Sequence, residues 1–425
     1  MRVVFFSYGT RGDVQPQIAM AAGLEEQGFK TRVVAPENLL GLVERAGLEY
    51  APLFGSSQEI LESESGKRWL ETGNATAFMK EAAKISGRID REVFRTALDA
   101  AQDADAIVGG TFAEEISFTL AEHKRVPFAF AHTMPLEMTG DYAQPIVTQR
   151  ELPFRFINRA TFALFRVLAS RLHATTMPAF RKELGLPPRR GTVLSRAAKL
   201  DTPVLQLWSP QLVPHASDAS RKAVTTGFLR LPQAVRGRLG EKAPPDDLLR
   251  WLDAGPPPVY VGFGSMPVPS LTRFAEDILD IGRSLGVRFA LSPGWNELAS
   301  VRHLECDGLH LLAPIDHGWI FQRCAAAVHH GGAGTTAASL DAGTPTVVCS
   351  FFADQPFWGS RVERLGAGVH LPRVKMNRQT LGDAVRIALT DDVRGRARDI
   401  GRKLRAEDGN ARAVEGLRSV LTRAA

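Results

Sequence analysis

Ala325-Ala326-Ala327-Val328-His329-His330-Gly331-Gly332-Ala333-Gly334-Thr335-Thr336 is the stretch on which the fold turns. It opens with four small apolar residues and no polar alternation, the pattern of a strand covered on both faces. A glycine-rich turn follows at once, then a helical pattern from Ala337 to Ala342 that Gly343 and Pro345 end. Thr346 to Cys349 reads as the next strand. Strand, turn, helix and strand in that order make a βαβ unit with parallel strands. Its turn suits an anion. Glycines let backbone approach a ligand closely. The first N–H groups of the helix have no partner of their own and carry a partial positive charge. His330 adds a donor at the mouth.

The pattern extends in both directions. The strand at 346–349 runs into Ser350-Phe351-Phe352-Ala353-Asp354-Gln355-Pro356-Phe357-Trp358-Gly359, where Asp354 and Gln355 offer the donor and acceptors that sugar hydroxyls need. Upstream, Val261-Gly262-Phe263-Gly264-Ser265-Met266 ends a strand in glycine and serine, and Ser265 is a second candidate for a phosphate. Further strands are read at 258–263 and 288–291. A similar series opens the chain: a strand over 2–7, a turn from Tyr8 to Gly12, a helix, and a strand from Thr31 to Ala35. Ala106-Ile107-Val108 and Phe128-Ala129-Phe130 continue it. The fold class is therefore α/β, with parallel sheets in both halves. The expected boundaries are an N-terminal domain at 1–226, a Pro- and Gly-rich linker at 227–257, a second domain at 258–395, and a terminal segment at 396–425.

Composition narrows the function. The chain has 425 residues, 44% hydrophobic and 23% charged, enough for two folded domains. A net charge of +6 suits an anionic small ligand and is too mild to argue for nucleic acid. Three cysteines, Cys306, Cys324 and Cys349, form no CxxC pair, and no Cys/His cluster calls for a metal. With no signal-like start and no apolar run long enough to span a membrane, the expected location is the cytoplasm.

His-His-Gly-Gly-Ala-Gly-Thr-Thr followed by the Asp354-Gln355 stretch resembles glycosyltransferase family 1, the inverting class with the GT-B fold of two facing Rossmann-like domains, an interdomain cleft and a C-terminal helix, here within 396–425, that crosses back to the N-terminal domain. Gly9-Thr10-Arg11-Gly12-Asp13-Val14-Gln15-Pro16 resembles the sterol glucosyltransferase branch and bacterial enzymes that decorate natural products. The likeness spans about residues 2 to 370. It implies that His330 and the helix start at Gly332, Ala333, Gly334 and Thr335 hold the diphosphate of a UDP- or dTDP-hexose, and that Asp354 and Gln355 hold the hexose. Plant members grip the ribose with a Glu where Ala338 stands here, and many relatives stack the base on a Trp where Leu312 stands. The choice between UDP and dTDP stays open, with UDP-glucose preferred. No cofactor or metal is implied.

Inverting transfer needs a base beside the acceptor hydroxyl. Asp13, just after the first strand, is the candidate. Plant members have a His in the matching place, oriented by an Asp; here Val108-Gly109-Gly110-Thr111-Phe112 carries no such carboxylate. Asp13 at a helix start is also a natural cap. Arg11 and Gly12 are candidates to face the donor phosphates.

Between Glu151 and Glu183 no acidic residue occurs, while Phe, Leu and Arg abound. We read this stretch as part of an apolar acceptor pocket, with Phe162 and Phe165 as contacts and His132 nearby. Membrane association is the second reading. Asp103-Ala104-Asp105 precedes its strand and reads as a solvated helix end. Three rivals remain. A nicotinamide-dependent oxidoreductase lacks its GxGxxG here. A nucleotide-sugar epimerase or hydrolase would share the fold. A glycolipid-binding protein without catalysis would share the apolar pocket. Acceptor identity and oligomeric state are open.

Overall fold

The computed structural model describes all residues except 57, 60–62, 64–90, 149, 151, 173–175, 190, 240–243, 265, 267, 269, 295–297 and 422–425. Ser265 and part of the greasy stretch thus lie outside the described residues. The chain forms two compact units. Among the described residues, one comprises the chain up to Leu239 together with Asp408 onward; the other takes those between.

The first unit holds seven parallel strands: β1 (Arg2–Phe6), β2 (Lys30–Pro36), β3 (Tyr50–Leu53), β4 (Ala106–Gly110), β5 (Phe128–His132), β6 (Val204–Gln206) and β7 (Ala223–Thr225). Their order is β3-β2-β1-β4-β5-β6-β7. The two-residue period of a strand divides each strand's side chains between two cores. Val3 and Phe5 join Val33, Ala35 and Val108 on one face, under the helices Arg11–Glu25 and Gly409–Leu421. Val4 and Phe6 join Val34 and Ile107 on the other, under the helices Glu114–Lys124 and Thr176–Glu183. Both faces are covered, so the strands read as continuous apolar runs rather than alternating ones.

The last helix belongs to this first unit. It buries Ala413, Val414, Leu417 and Leu421 in the core of β1. Asn410 fastens its start, accepting from the Arg230 N–H at 2.9 Å and donating to the Arg230 carbonyl at 2.7 Å. The helix Asp391–Arg405 stays with the second unit, so the chain changes unit at Glu407–Asp408, later than residue 396. The stretch read as linker contains two short helices, Gln233–Arg238 and Asp246–Asp253; the second buries Leu248 against Tyr260 and Phe321. An apolar stripe that finds a core outweighs nearby prolines, here Pro244 and Pro245.

The second unit holds six parallel strands: β8 (Val259–Gly262), β9 (Phe289–Ser292), β10 (Leu309–Leu311), β11 (Ala326–His329), β12 (Thr346–Val348) and β13 (Gly368–His370), in the order β10-β9-β8-β11-β12-β13. In both sheets the order reverses beside the first strand of the unit. Parallel sheets of this kind bind ligands outside the carboxyl ends of the strands at that reversal. The switch points are β1/β4 and β8/β11.

Candidate functional site

At the β8/β11 switch point, β11 delivers His329 and His330 to the carboxyl edge of the sheet. His329 is fully buried and works inside the turn. Its Nδ1 accepts from the Gly331 N–H at 3.0 Å and its Nε2 lies 3.3 Å from Ser339 Oγ. Burial drives its pKa well down, with His330 and His317 adding like charge, so the ring is neutral. Gly331 has no substitute. Its φ is +88°, and a Cβ there would sit 2.4 Å from Val348 Cγ1.

His330 takes the other role. Only half-buried, it lies over Gly332, whose added Cβ would come within 2.5 Å of Nε2. Its Nδ1 is a buried atom without a hydrogen-bond partner among the described residues. Burial pushes its pKa down to about 4, helped by His317, so the free ring is neutral, not cationic. The helix Ala333–Asp341 begins directly behind it with Gly332 as N-cap and no side-chain cap. Its leading N–H groups are thereby left for an incoming anion. Gly334 is exposed at that end, Ala333 and Thr335 are half-buried, and Thr336 Oγ1 is a second buried atom without a partner.

One strand further, the turn after β12 presents Asp354 and Gln355. It is held in a conformation that costs strain: Ala353 has φ +55°, rare for a residue with a side chain. Asp354 Oδ2 accepts from the Trp358 indole N–H at 2.6 Å. Burial raises the Asp354 pKa to about 6, and the indole bond only partly offsets it. Gln355 braces the turn. Its Oε1 accepts from the N–H groups of Phe351 and Phe352 at 2.8 and 3.3 Å, while its Nε2 meets Met266 Sδ at 3.7 Å. Asp354 and Gln355 thus differ in kind: the carboxylate accepts from an indole, while the carboxamide spends its oxygen on its own turn and turns its N–H₂ toward Met266. Leu312, in the place of a stacking Trp, is buried in the core.

In the first unit, Asp13 stands at the β1/β4 switch point. Its carboxylate accepts from the Thr10 N–H at 2.9 Å, closing a capping box with Thr10. Gly9 makes room for it at φ +122°; a Cβ would lie 2.3 Å from Asp13 Oδ2. Asp13 therefore caps its helix and remains half-exposed. Arg11 and Gly12 are exposed on the same first turn, with Arg11 Nε donating to Gln15 Oε1 at 2.9 Å. Sequence reasoning passed over the neighbour across the switch point: Phe112, after β4, holds φ +67° and is 50% exposed. A bulky residue in that conformation and half exposed marks a strained turn. Nothing in residue type or spacing could have revealed it.

The acceptor candidates are dispersed. Phe162 and His132 are fully buried, and Phe165 is half-buried. His132, at the end of β5, lies between two carboxylates, with Nδ1 2.6 Å from Glu137 and Nε2 3.8 Å from Glu114. Burial alone would lower its pKa; the Glu137 charge and hydrogen bond, with Glu114, more than offset that and raise it. The same contacts hold Glu137 below its usual range against burial, while burial raises Glu114. His132–Glu137 is a buried ion pair of the fold. Asp103 and Asp105 likewise serve structure: Asp103 pairs with Arg2 and Arg32, and Asp105 accepts from the Arg2 N–H at 2.7 Å. No group of three potential metal ligands occurs among the described residues.

Both units match known proteins. Residues 3–140 match the glycosyltransferase family 28 N-terminal domain. Residues 295–412 match the erythromycin biosynthesis protein CIII-like C-terminal domain. A sterol 3-beta-glucosyltransferase of Arabidopsis thaliana is 31% identical over 98% of this chain and 65% of its own length. One of Komagataella phaffii (strain GS115 / ATCC 20864) is 30% identical over 98% of this chain and 34% of its own. The chain thus spans 65% and 34% of these two relatives. Among solved structures, the glycotransferase of kitacinnamycin superposes with a TM-score of 0.71 at 18% identity, covering 99% of both chains. Glycosyltransferase VinC, in complex with dTDP, gives 0.67 at 15% identity and covers all of both.

Proposed function

This chain belongs to glycosyltransferase family 1 with the GT-B fold, and we propose that it transfers a hexose from a nucleoside diphosphate to a hydroxyl of a sterol or sterol-like natural product, with inversion. The observation that carries the reading is the uncapped start of the helix Ala333–Asp341 behind His330, at a sheet's switch point. A diphosphate there gains backbone donors, the positive end of a helix and the His330 N–H. The relatives named for sterol glucosylation support the acceptor class and a glucosyl donor, for which UDP-glucose is the first choice to test. Likeness to a structure holding dTDP keeps dTDP-hexoses in the test.

In this reading, Asp354 accepts from hexose hydroxyls and the Gln355 amide donates to one. Asp13 takes the proton of the acceptor hydroxyl as its oxygen bonds to the anomeric carbon. The carbon–oxygen bond to the diphosphate breaks on the opposite face, and its electron pair leaves with the diphosphate. The transition state is oxocarbenium-like, as in glycoside hydrolysis. The helix end and His330 take up the charge that develops on the leaving group.

The test is nucleoside-diphosphate release from UDP-glucose and dTDP-glucose with a panel of sterols and polyketides, without metal and with EDTA. Acceptor-dependent release supports the reading. Donor turnover without acceptor would instead indicate a hydrolase or epimerase, and donor binding without turnover a carrier.

A further inference from the structure

Of twelve exposed large apolar side chains among the described residues, five lie between Phe154 and Leu168. They are not scattered. The helix Arg155–Leu172 has one side held by the protein: Phe162 and Asn158 are buried, Asn158 Nδ2 donates to the Gly140 carbonyl at 2.8 Å, and Arg159 pairs with Asp218. That fixes which side faces out. At roughly 100° per residue, Phe156, Leu164 and Val167 share the outward side with Ala160 and Ala163. Phe156 is 70% exposed, Val167 50% and Leu164 49%. Phe154 stacks beside Phe156, ring centroids 5.7 Å apart.

The charges that the helix itself carries have one sign, although Arg155 and Arg159 at its start meet Asp141 and Asp218 from other segments. From Leu152 to Lys182 the sequence has no Asp or Glu. Arg159 flanks the apolar side and is half exposed despite its ion pair, and Arg171 is exposed toward the helix end. A second copy of the chain meeting this face symmetrically would bring like charges together. An anionic lipid surface satisfies both features, apolar side chains entering the acyl boundary and guanidinium groups reaching the headgroups. No helix among the described residues is long and apolar enough to cross a membrane. The geometry points to the helix Arg155–Leu172 as a surface that lies on anionic membranes, with Phe156, Leu164 and Val167 inserted. This goes beyond the transferase reading and does not depend on it, because binding is measured without donor or acceptor.

The experiment is cosedimentation of the full chain with vesicles of phosphatidylcholine alone or mixed with phosphatidylglycerol. The expected result is binding to mixed vesicles that weakens as salt rises. The double substitution Leu164→Glu and Val167→Glu should lower the partition coefficient by about tenfold or more, with the melting temperature kept. Hydrogen exchange in the wild-type chain should slow within residues 155–171 when mixed vesicles are added. Equal binding by the variant, no binding by the wild type, or unchanged exchange in this helix would each overturn the proposal. So would a wild-type dimer that the double substitution converts to monomer, since the face would then join two copies.

Discussion

The indole N–H of Trp358 donates to Asp354 Oδ2 at 2.6 Å, one helical turn along from the residue it serves. This bond works against burial, which has raised the Asp354 pKa to about 6. If the ionised form accepts hexose hydroxyls, donor affinity should climb as pH rises through about 6. Trp358→Phe removes the opposing bond and should move that limb to higher pH. Asp354→Asn should abolish the limb and raise the donor KM. A pH profile of donor KM for the three proteins checks all of this; an unchanged limb in Trp358→Phe would place its origin elsewhere.

His330 bears on stability as well as binding. Its folded pKa, near 4, lies below the ordinary 6.5. Between those values the unfolded chain holds a proton that the folded chain does not. Its contribution to stability is thus complete above pH 6.5 and is lost as pH falls toward 4. His329 acts in the same direction. Melts from pH 7.5 to 4.5 should show a shallower decline in His330→Gln than in wild type. The same variant should raise the donor KM with little effect on folding at neutral pH.

Two glycines of one turn should separate folding from binding. Gly331→Ala meets Val348 at 2.4 Å and keeps a φ of +88°, and should cost about 1–3 kcal/mol. Gly334→Ala meets nothing within 4 Å inside a helix. It should leave stability equal or up to about 1 kcal/mol higher. Yet it should weaken donor binding if the diphosphate meets the backbone there, as proposed. Urea melts and donor titration of both variants are the check.

Asp13 and Thr10 form one cap, and single substitutions distinguish capping from proton transfer. Thr10→Ala should cost about 1 kcal/mol of stability. Its transfer rate should change little. Asp13→Asn should cost no more stability, but lower kcat by about 10²–10⁴ at an unchanged donor KM. Equal rate losses in the two variants would mean that Asp13 serves only to shape the turn.

The buried pair of His132 and Glu137 should behave as a structural unit. Glu137→Gln leaves an imidazole beside Glu114 without its stronger partner and should destabilise by about 3–5 kcal/mol. The raised His132 pKa means that its stabilisation is present below pH 6.5 and is lost as pH rises through the folded value. The destabilisation by Glu137→Gln should therefore be larger at pH 6 than at pH 9, measured by denaturant melts.

Much of the local backbone around His330 was legible in the sequence. Glycine spacing around His330 carried the tight turn, because a turn that needs positive φ and close approach admits few residue types. Apolar runs without alternation carried the parallel sheets. The neutral state of His330 was not legible, since it follows from burial and from His317, thirteen positions away. Nor was the inward role of Gln355, whose carbonyl is spent on the backbone of its own turn. The stretch Phe154 to Leu172 has too many apolar residues to assign faces by periodicity; only the contacts of Asn158 and Phe162 choose the buried side.

The sequence by itself determined two series of strands and helices, the glycine turn at Gly331–Gly334, and Asp13 at the start of its helix. These depend on local periodicity, capping and φ, which a few adjacent residues settle. The tertiary structure alone decided that strand order reverses beside β1 and β8, bringing Asp13 near the end of β4 and His330 to the end of β8. It alone buried His132 between two carboxylates and turned Phe156, Leu164 and Val167 outward. Those outcomes rest on contacts between residues far apart in the chain, where burial and charge depend on neighbours that no local pattern names.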